Sequence, residues 1–251
     1  LLNRGATETI SAESPPAWLV DSIGPPPPIL SVAVNHWLFQ AAAALCPIRP
    51  PDLLYLSTTD YAQHMHAPDS AQSQANLAAL DKLLTELLNS GPDFAAVVTA
   101  DHGMAANTRG LDLGRILLTA GIAAEAVPIT KDRYVAHHQN LGGAAYIFLE
   151  DLEQLDEAIE VLRQEPGVES VPTRDEAAME FQLHANRIGD LLVLATEETV
   201  FGNLPSARES VTVRSHGGLH TRPVPIIAYG PGMPSEPFTY NYEAAQWIHW
   251  E

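Results

Sequence analysis

Phe94-Ala-Ala-Val-Val-Thr-Ala100, followed directly by Asp101-His102-Gly103, is the stretch that decides the fold. Its apolar run, β-branched at the centre, is of the kind that fills a strand covered on both faces of a parallel sheet. Asp101 and His102 leave the carboxyl end of that strand, and Gly103 opens the turn behind them. Two ionisable residues at the exit of an apolar strand are costly unless something pairs with them. Open α/β sheets place their active sites at that end, so the pair reads as a site rather than as a capped turn.

Upstream, Ala71 to Leu88 has helical periodicity, with Leu77, Leu80, Leu84, Leu87 and Leu88 on one face, and Ser90-Gly-Pro-Asp93 breaks it. Before it, Asp52-Leu-Leu-Tyr-Leu-Ser57 reads as a short apolar strand, and Thr58-Thr59-Asp60 leaves its carboxyl end. Val32 to Leu45 has helical spacing and stops at Pro47 and Pro50-Pro51, while residues 1–30 read as irregular and end in the polyproline run Pro25 to Pro28. This strand–helix–strand order predicts a parallel sheet with right-handed crossovers, flanked by helices. Downstream, Leu111 to Ala120 reads as a helix. A second alternation follows, with strands Ala144–Leu149, Val168–Val171 and Asp190–Ala195 and helices Leu152–Gln164 and Arg174–Phe181. The predicted organisation is an α/β core made of 1–127 and 205–251, carrying a small α+β cap insert over 128–204. Val224 to Tyr229 is the strand that returns to the main sheet.

Composition sets limits on function. The 251 residues suffice for one large α/β domain, and 46% hydrophobic with 18% charged residues is ordinary for a soluble globular chain. A formal charge of −18 argues against a nucleic-acid partner, because phosphate backbones demand basic stripes. A small anionic substrate stays open, since bound divalent ions reverse the local field. The single Cys46 forms no intramolecular disulfide and reads as structural. No apolar run is long enough to span a bilayer, and the expectation is a cytoplasmic protein without a membrane partner, with a homodimer left open.

Asp60 and His64 stand four residues apart, so one helical turn aims both side chains at one point. Alone, Asp60 would read as a helix N-cap; a second Asp/His pair at Asp101-His102 shifts the reading to metal. His216, in Ser215-His-Gly-Gly218, is the candidate third ligand of the first group, and His220 competes with it because it precedes the same strand. His66 and His220 also lie close enough in sequence to support ligands or touch substrate. His137 and His138 belong to the insert and could face the cleft, with surface positions the favoured expectation, and His36, His184 and His249 carry no signal. The acidic residues from Glu150 to Glu165 read as a solvated helix face. Hard carboxylates with borderline imidazoles suit two Zn²⁺, with Mn²⁺ or Fe as alternatives.

Tyr55-Leu-Ser-Thr-Thr-Asp-Tyr-Ala-Gln-His64, Thr99-Ala-Asp-His-Gly-Met104, Val127-Pro-Ile-Thr130, Arg187-Ile-Gly-Asp190 and Arg214-Ser-His-Gly-Gly218 resemble the alkaline phosphatase superfamily. Among its nucleotide pyrophosphatase/phosphodiesterase-like members, the phosphonoacetate hydrolase-like group is the most similar. The resemblance implies two zinc ions side by side, the first held by Asp60, His64 and His216 and the second by Asp101 and His102. It implies hydrolysis of phosphonoacetate to acetate and phosphate through attack by a threonine nucleophile and a phospho-threonine intermediate.

That threonine, and an aspartate completing the second site, belong upstream of the Ser-Thr-Thr-Asp stretch. Thr7, Thr9, Asp21 and Asp52 all lack a suitable strand-end context, so the nucleophile is expected upstream of this chain and the chain itself to turn over weakly or not at all. A lysine pair that receives the substrate carboxylate in these hydrolases aligns near Ser11-Ala-Glu-Ser-Pro15, where this sequence has Glu13 and Pro15, which puts phosphonoacetate itself in question; Lys131 and Arg133 are candidate substitutes. The alternatives are a nucleotide pyrophosphatase/phosphodiesterase-type hydrolase of phosphate esters and an inactive metal-binding fragment. A phosphoglycerate mutase-like role fits less well, since that group uses a serine nucleophile and a different insert.

Overall fold

Leu191-Leu-Val-Leu-Ala195 is buried at every position, which a strand achieves only when both faces of its sheet are covered. The computed structural model describes residues 9–90, 95–131, 138–232 and 236–244. The chain divides into two compact units, 1–97 with 228–235 and 98–227 with 236–251.

The first unit is helical: α1 (Ala17–Ile23), α2 (Ala33–Leu45), α3 (Tyr61–Met65) and α4 (Ala71–Leu88). Leu19, Trp37 and Ala41 form one buried cluster between α1 and α2, and Ala42, Cys46 and Leu87 form another between α2 and α4. Helix α1 corrects the expectation that residues 1–30 are irregular. Helix α4 has the predicted bounds, but Leu77 is 54% exposed, whereas Asn76 and Leu87 are buried. The reason is polar: Asn76 Oδ1 accepts a hydrogen bond from His36 Nε2 at 2.9 Å, which turns that side of the helix inward. Asp52 to Ser57 forms no strand; Leu53 and Tyr55 are exposed, so its apolar pattern finds no ladder among the described residues.

The second unit holds two sheets. Strands β3 (Ala124–Pro128), β4 (Ala144–Leu149), β5 (Val168–Ser170) and β6 (Leu191–Ala195) form a four-stranded antiparallel sheet in the order β3-β4-β6-β5. Alternate residues serve opposite faces. Ile147, Leu191 and Val193 pack with Leu117 of α5 (Leu113–Thr119) and Leu162 of α6 (Leu155–Arg163). Ala144, Leu192 and Leu194 pack with Ala177 of α7 (Arg174–Phe181). Glu165 departs from the solvated face expected of the acidic run: it is buried and pairs with Arg208 through both carboxylate oxygens.

Strands β2 (Ala105–Leu111), β7 (Thr199–Phe201) and β8 (Arg208–Ser215) form the other sheet, order β7-β2-β8. The β2–β7 pairing is parallel and β2–β8 antiparallel, with Ala105 opposite Ser215. That register matters for function. The start of β2 lies beside the end of β8, so Asp101 to Met104 and His216 to Gly218 emerge at the same end of one sheet. Strands β1 (Ala96–Thr99) and β9 (Ile226–Tyr229) pair as a two-stranded sheet, and Asp101-His102 follows β1 as the sequence predicts, but β1 is not covered on both faces, since Val98 and Thr99 are exposed. No described helix is long and apolar enough to cross a membrane.

Candidate metal centre

In the first unit Asp60 occupies the N-cap position of α3, yet its side chain makes no capping hydrogen bond to the helix. Its Oδ2 lies 3.0 Å from Nε2 of His64, whose side chain is fully buried. The four-residue spacing therefore does what the sequence predicts. Behind Asp60 stands Asn35 of α2, which is buried and grips Thr59 by its backbone: Nδ2 donates to Thr59 O at 2.8 Å and Oδ1 accepts from Thr59 N–H at 2.9 Å. Asn35 carried no signal in the sequence, because a polar residue inside an otherwise apolar helix is read locally as a surface position. His66 closes α3 as its C-cap, half-buried.

In the second unit His102 Nδ1 lies 3.0 Å from Gly103 O. A carbonyl only accepts, so Nδ1 carries the proton, and in the neutral ring Nε2 then has the lone pair that a metal needs. That Nε2 lies 3.6 Å from Asp101 Oδ2, on a carboxylate that is largely exposed. The His102 and His216 rings stack, with centroids 3.6 Å apart and planes 6° from parallel. His220 turns elsewhere, to Oε2 of Glu169 at 2.6 Å.

The loop bearing His216 is fixed by its backbone. Gly143 N–H donates to His216 O at 2.8 Å, and Ser215 Oγ donates to Leu141 O. Gly217 takes a left-handed φ of 98°, which demands glycine, and a Cβ there would also displace the end of the Ile129 side chain at 2.5 Å. A Cβ on Gly143 would meet Gly218 N at 2.5 Å. The motif around Asp190 is structural: its carboxylate takes Arg174 at 2.6 Å and the Leu149 N–H at 2.9 Å. His138 is buried, not superficial, and its Nδ1 accepts from Asn140 N–H. His137, His249, Thr7 and Arg133 lie outside the described residues.

Two ligands at about 2.0–2.1 Å from a tetrahedral zinc ion stand roughly 3.3 Å apart. The separations of 3.0 Å within Asp60/His64 and 3.6 Å within Asp101/His102 bracket that value. Each carboxylate–imidazole pair thus has a spacing that a shared metal ion would accept.

Residues 28–219 match the family described as type I phosphodiesterase / nucleotide pyrophosphatase. The chain belongs to this family. Its members are metal-dependent hydrolases of phosphoester and phosphonate bonds. Phosphonoacetate hydrolase from Sinorhizobium meliloti 1021, solved in complex with phosphonoformate, is 32% identical with a TM-score of 0.80, over 91% of this chain and 59% of that protein. The same enzyme in complex with phosphonoacetate gives 31% identity and a TM-score of 0.81. Murine ectonucleotide pyrophosphatase / phosphodiesterase 5 shares the fold at 19% identity, TM-score 0.53, over 77% of this chain and 52% of that one. This family member thus spans about three-fifths of the phosphonoacetate hydrolase it matches. The α/β, alkaline-phosphatase-like fold predicted from the sequence is borne out.

Proposed function

We propose that this chain is the metal-binding part of a zinc-dependent phosphohydrolase that acts on small phosphonates of the phosphonoacetate type. Asp60, His64 and His216 hold one ion, and Asp101 with His102 hold the other; Mn²⁺ or Fe would suit the same donors. The observation that carries the reading is the 32% identity to phosphonoacetate hydrolase across 91% of the chain. The local geometry of the two carboxylate–imidazole pairs and the tautomer set on His102 by Gly103 support it. When bound, the ions supply Lewis-acid polarisation of a phosphoryl oxygen and neutralise developing charge.

The chain's own residues hold and orient. His64 is rigid through burial, Asp60 follows Thr59, which Asn35 clamps, and His216 hangs from a loop whose backbone is tied at several points. Their positive guests are also what admits an anion to a chain of net charge −18. Residues 128–204 are taken as the cap and 1–127 with 205–251 as the core; β4, β5 and β6 with α6 and α7 lie within the cap span, while their sheet draws its edge strand β3 from Ala124–Pro128.

Calorimetric titration of phosphonoacetate, phosphonoformate and a nucleoside monophosphate into the zinc-loaded and zinc-free chain tests the reading. Release of phosphate from phosphonoacetate and of nitrophenol from a bis(nitrophenyl) phosphate is followed beside it. Zinc-dependent binding of the phosphonates is expected. Preference for the nucleotide would move the assignment to phosphate esters, and the absence of zinc-dependent binding of any of these anions would overturn it.

A further inference from the structure

Two ligand-bearing loops of the second unit meet at one residue that no motif marks. Thr221 is 5% exposed and lies in the short 3-10 turn Leu219–Thr221 after Ser215-His-Gly-Gly218. Its carbonyl accepts the N–H of Gly103 at 2.6 Å, which pins the turn that follows Asp101-His102. Its Oγ1 accepts the N–H of Gly217 at 3.0 Å and donates to the carbonyl of Gly218 at 3.0 Å, which pins the turn that follows His216. A Cβ on Gly103 would meet Thr221 O and Pro223 O at 3.2 Å each, so the two backbones are in close approach at this point. The stacked His102 and His216 rings, 3.6 Å apart, are the side-chain consequence of that approach.

We infer that Thr221 is the positioning residue that sets the spacing of His102 and His216, and through it the affinity of the metal centre. The inference rests on the metal-site reading above and deepens it. Removal of the hydroxyl alone leaves the half-buried Gly217 N–H without its partner and takes one of two donors from the Gly218 carbonyl, which keeps the Thr221 N–H at 3.2 Å. The main-chain bond to Gly103 survives any side-chain change, so a hydroxyl-free variant loosens His216 relative to a His102 turn that stays anchored.

The test is a competition titration of Zn²⁺ into the wild-type chain and into Thr221→Val, Thr221→Ala and Thr221→Ser, with near-ultraviolet circular dichroism to establish that each is folded. Zinc affinity is expected to fall about 10–100-fold in the valine and alanine variants, as for other residues that orient a ligand from outside the coordination sphere. Serine, which keeps the hydroxyl, is expected to restore it to within about twofold of wild type, which a purely space-filling role would not do. Equal affinity in a folded hydroxyl-free variant would overturn the inference, as would a serine variant as weak as alanine. Should the wild type bind no zinc, the metal reading fails separately. The positioning role is then judged from the ring proton resonances of His102 and His216 in the metal-free protein. Ring-current shifts lost without the hydroxyl and kept in serine support it; shifts unchanged in every variant refute it.

Discussion

Asp60, a proposed ligand, sits where a helix cap would. Its position at the start of α3 is that of a cap, but its carboxylate is spent on His64 rather than on the helix. Asp60→Asn and His64→Ala are expected to lower zinc affinity by more than the about 10–100-fold that supporting residues cost, measured by competition with a chelator. Asn35 belongs to the same account. Asn35→Ala leaves the Thr59 N–H and carbonyl unsatisfied, and a loss of about 1–3 kcal/mol in denaturant unfolding is expected, together with weaker zinc binding. A third expectation concerns pH. The backbone N–H and hydroxyl of Thr173 hold the Glu176 carboxyl below its ordinary range. A depressed carboxyl contributes stability above its unfolded pKa and loses it as pH falls through the folded value. Thermal unfolding followed across the acidic range therefore declines with acid in the wild type. Glu176→Gln, which keeps the capping partner without the charge, is expected to flatten that part of the profile.

Elements were legible where their period was local. Helix α4 runs from Ala71 to Leu88 as its leucines predict, although the inward stripe is turned by Asn76, whose partner His36 lies in another helix. Strands β2 and β8 went unread for the opposite reason. Ala105-Ala-Asn-Thr-Arg-Gly-Leu111 mixes polar and small residues, and its identity as a strand comes from pairing with β7 and β8, partners far away in sequence. Within β8, Val211-Thr-Val213 carries the period-two signal of a strand. This hidden sheet brings the His102 and His216 loops to one end, so the residues of the site were visible before the reason they meet was. Gly143 tests the arrangement at this scale. A methyl there would press on Gly218 backbone. Gly143→Ala is expected to cost about 1–3 kcal/mol of stability by denaturant unfolding and to weaken zinc binding, while Gly24→Ala, at an open left-handed site in the first unit, leaves zinc binding unchanged.

For the molecule as a whole, the family and the α/β class follow from both motif and fold, whereas the proposed substrate rests on likeness to phosphonoacetate hydrolase. Binding of an ion to the native state alone raises stability by mass action, about 2.7 kcal/mol at a hundredfold excess over Kd. Zinc is accordingly expected to raise the unfolding midpoint, and a chelator to reverse it. The proposed function depends on Asp60, His64, Asp101, His102 and His216 being metal ligands. Anomalous diffraction at the zinc edge from zinc-loaded crystals tests it most directly. Anomalous peaks are expected within bonding distance of the Asp60/His64 and Asp101/His102 side chains, with His216 ligating the ion held by Asp60 and His64. Zinc found only at other residues, or no ordered zinc at any of these five, would contradict it.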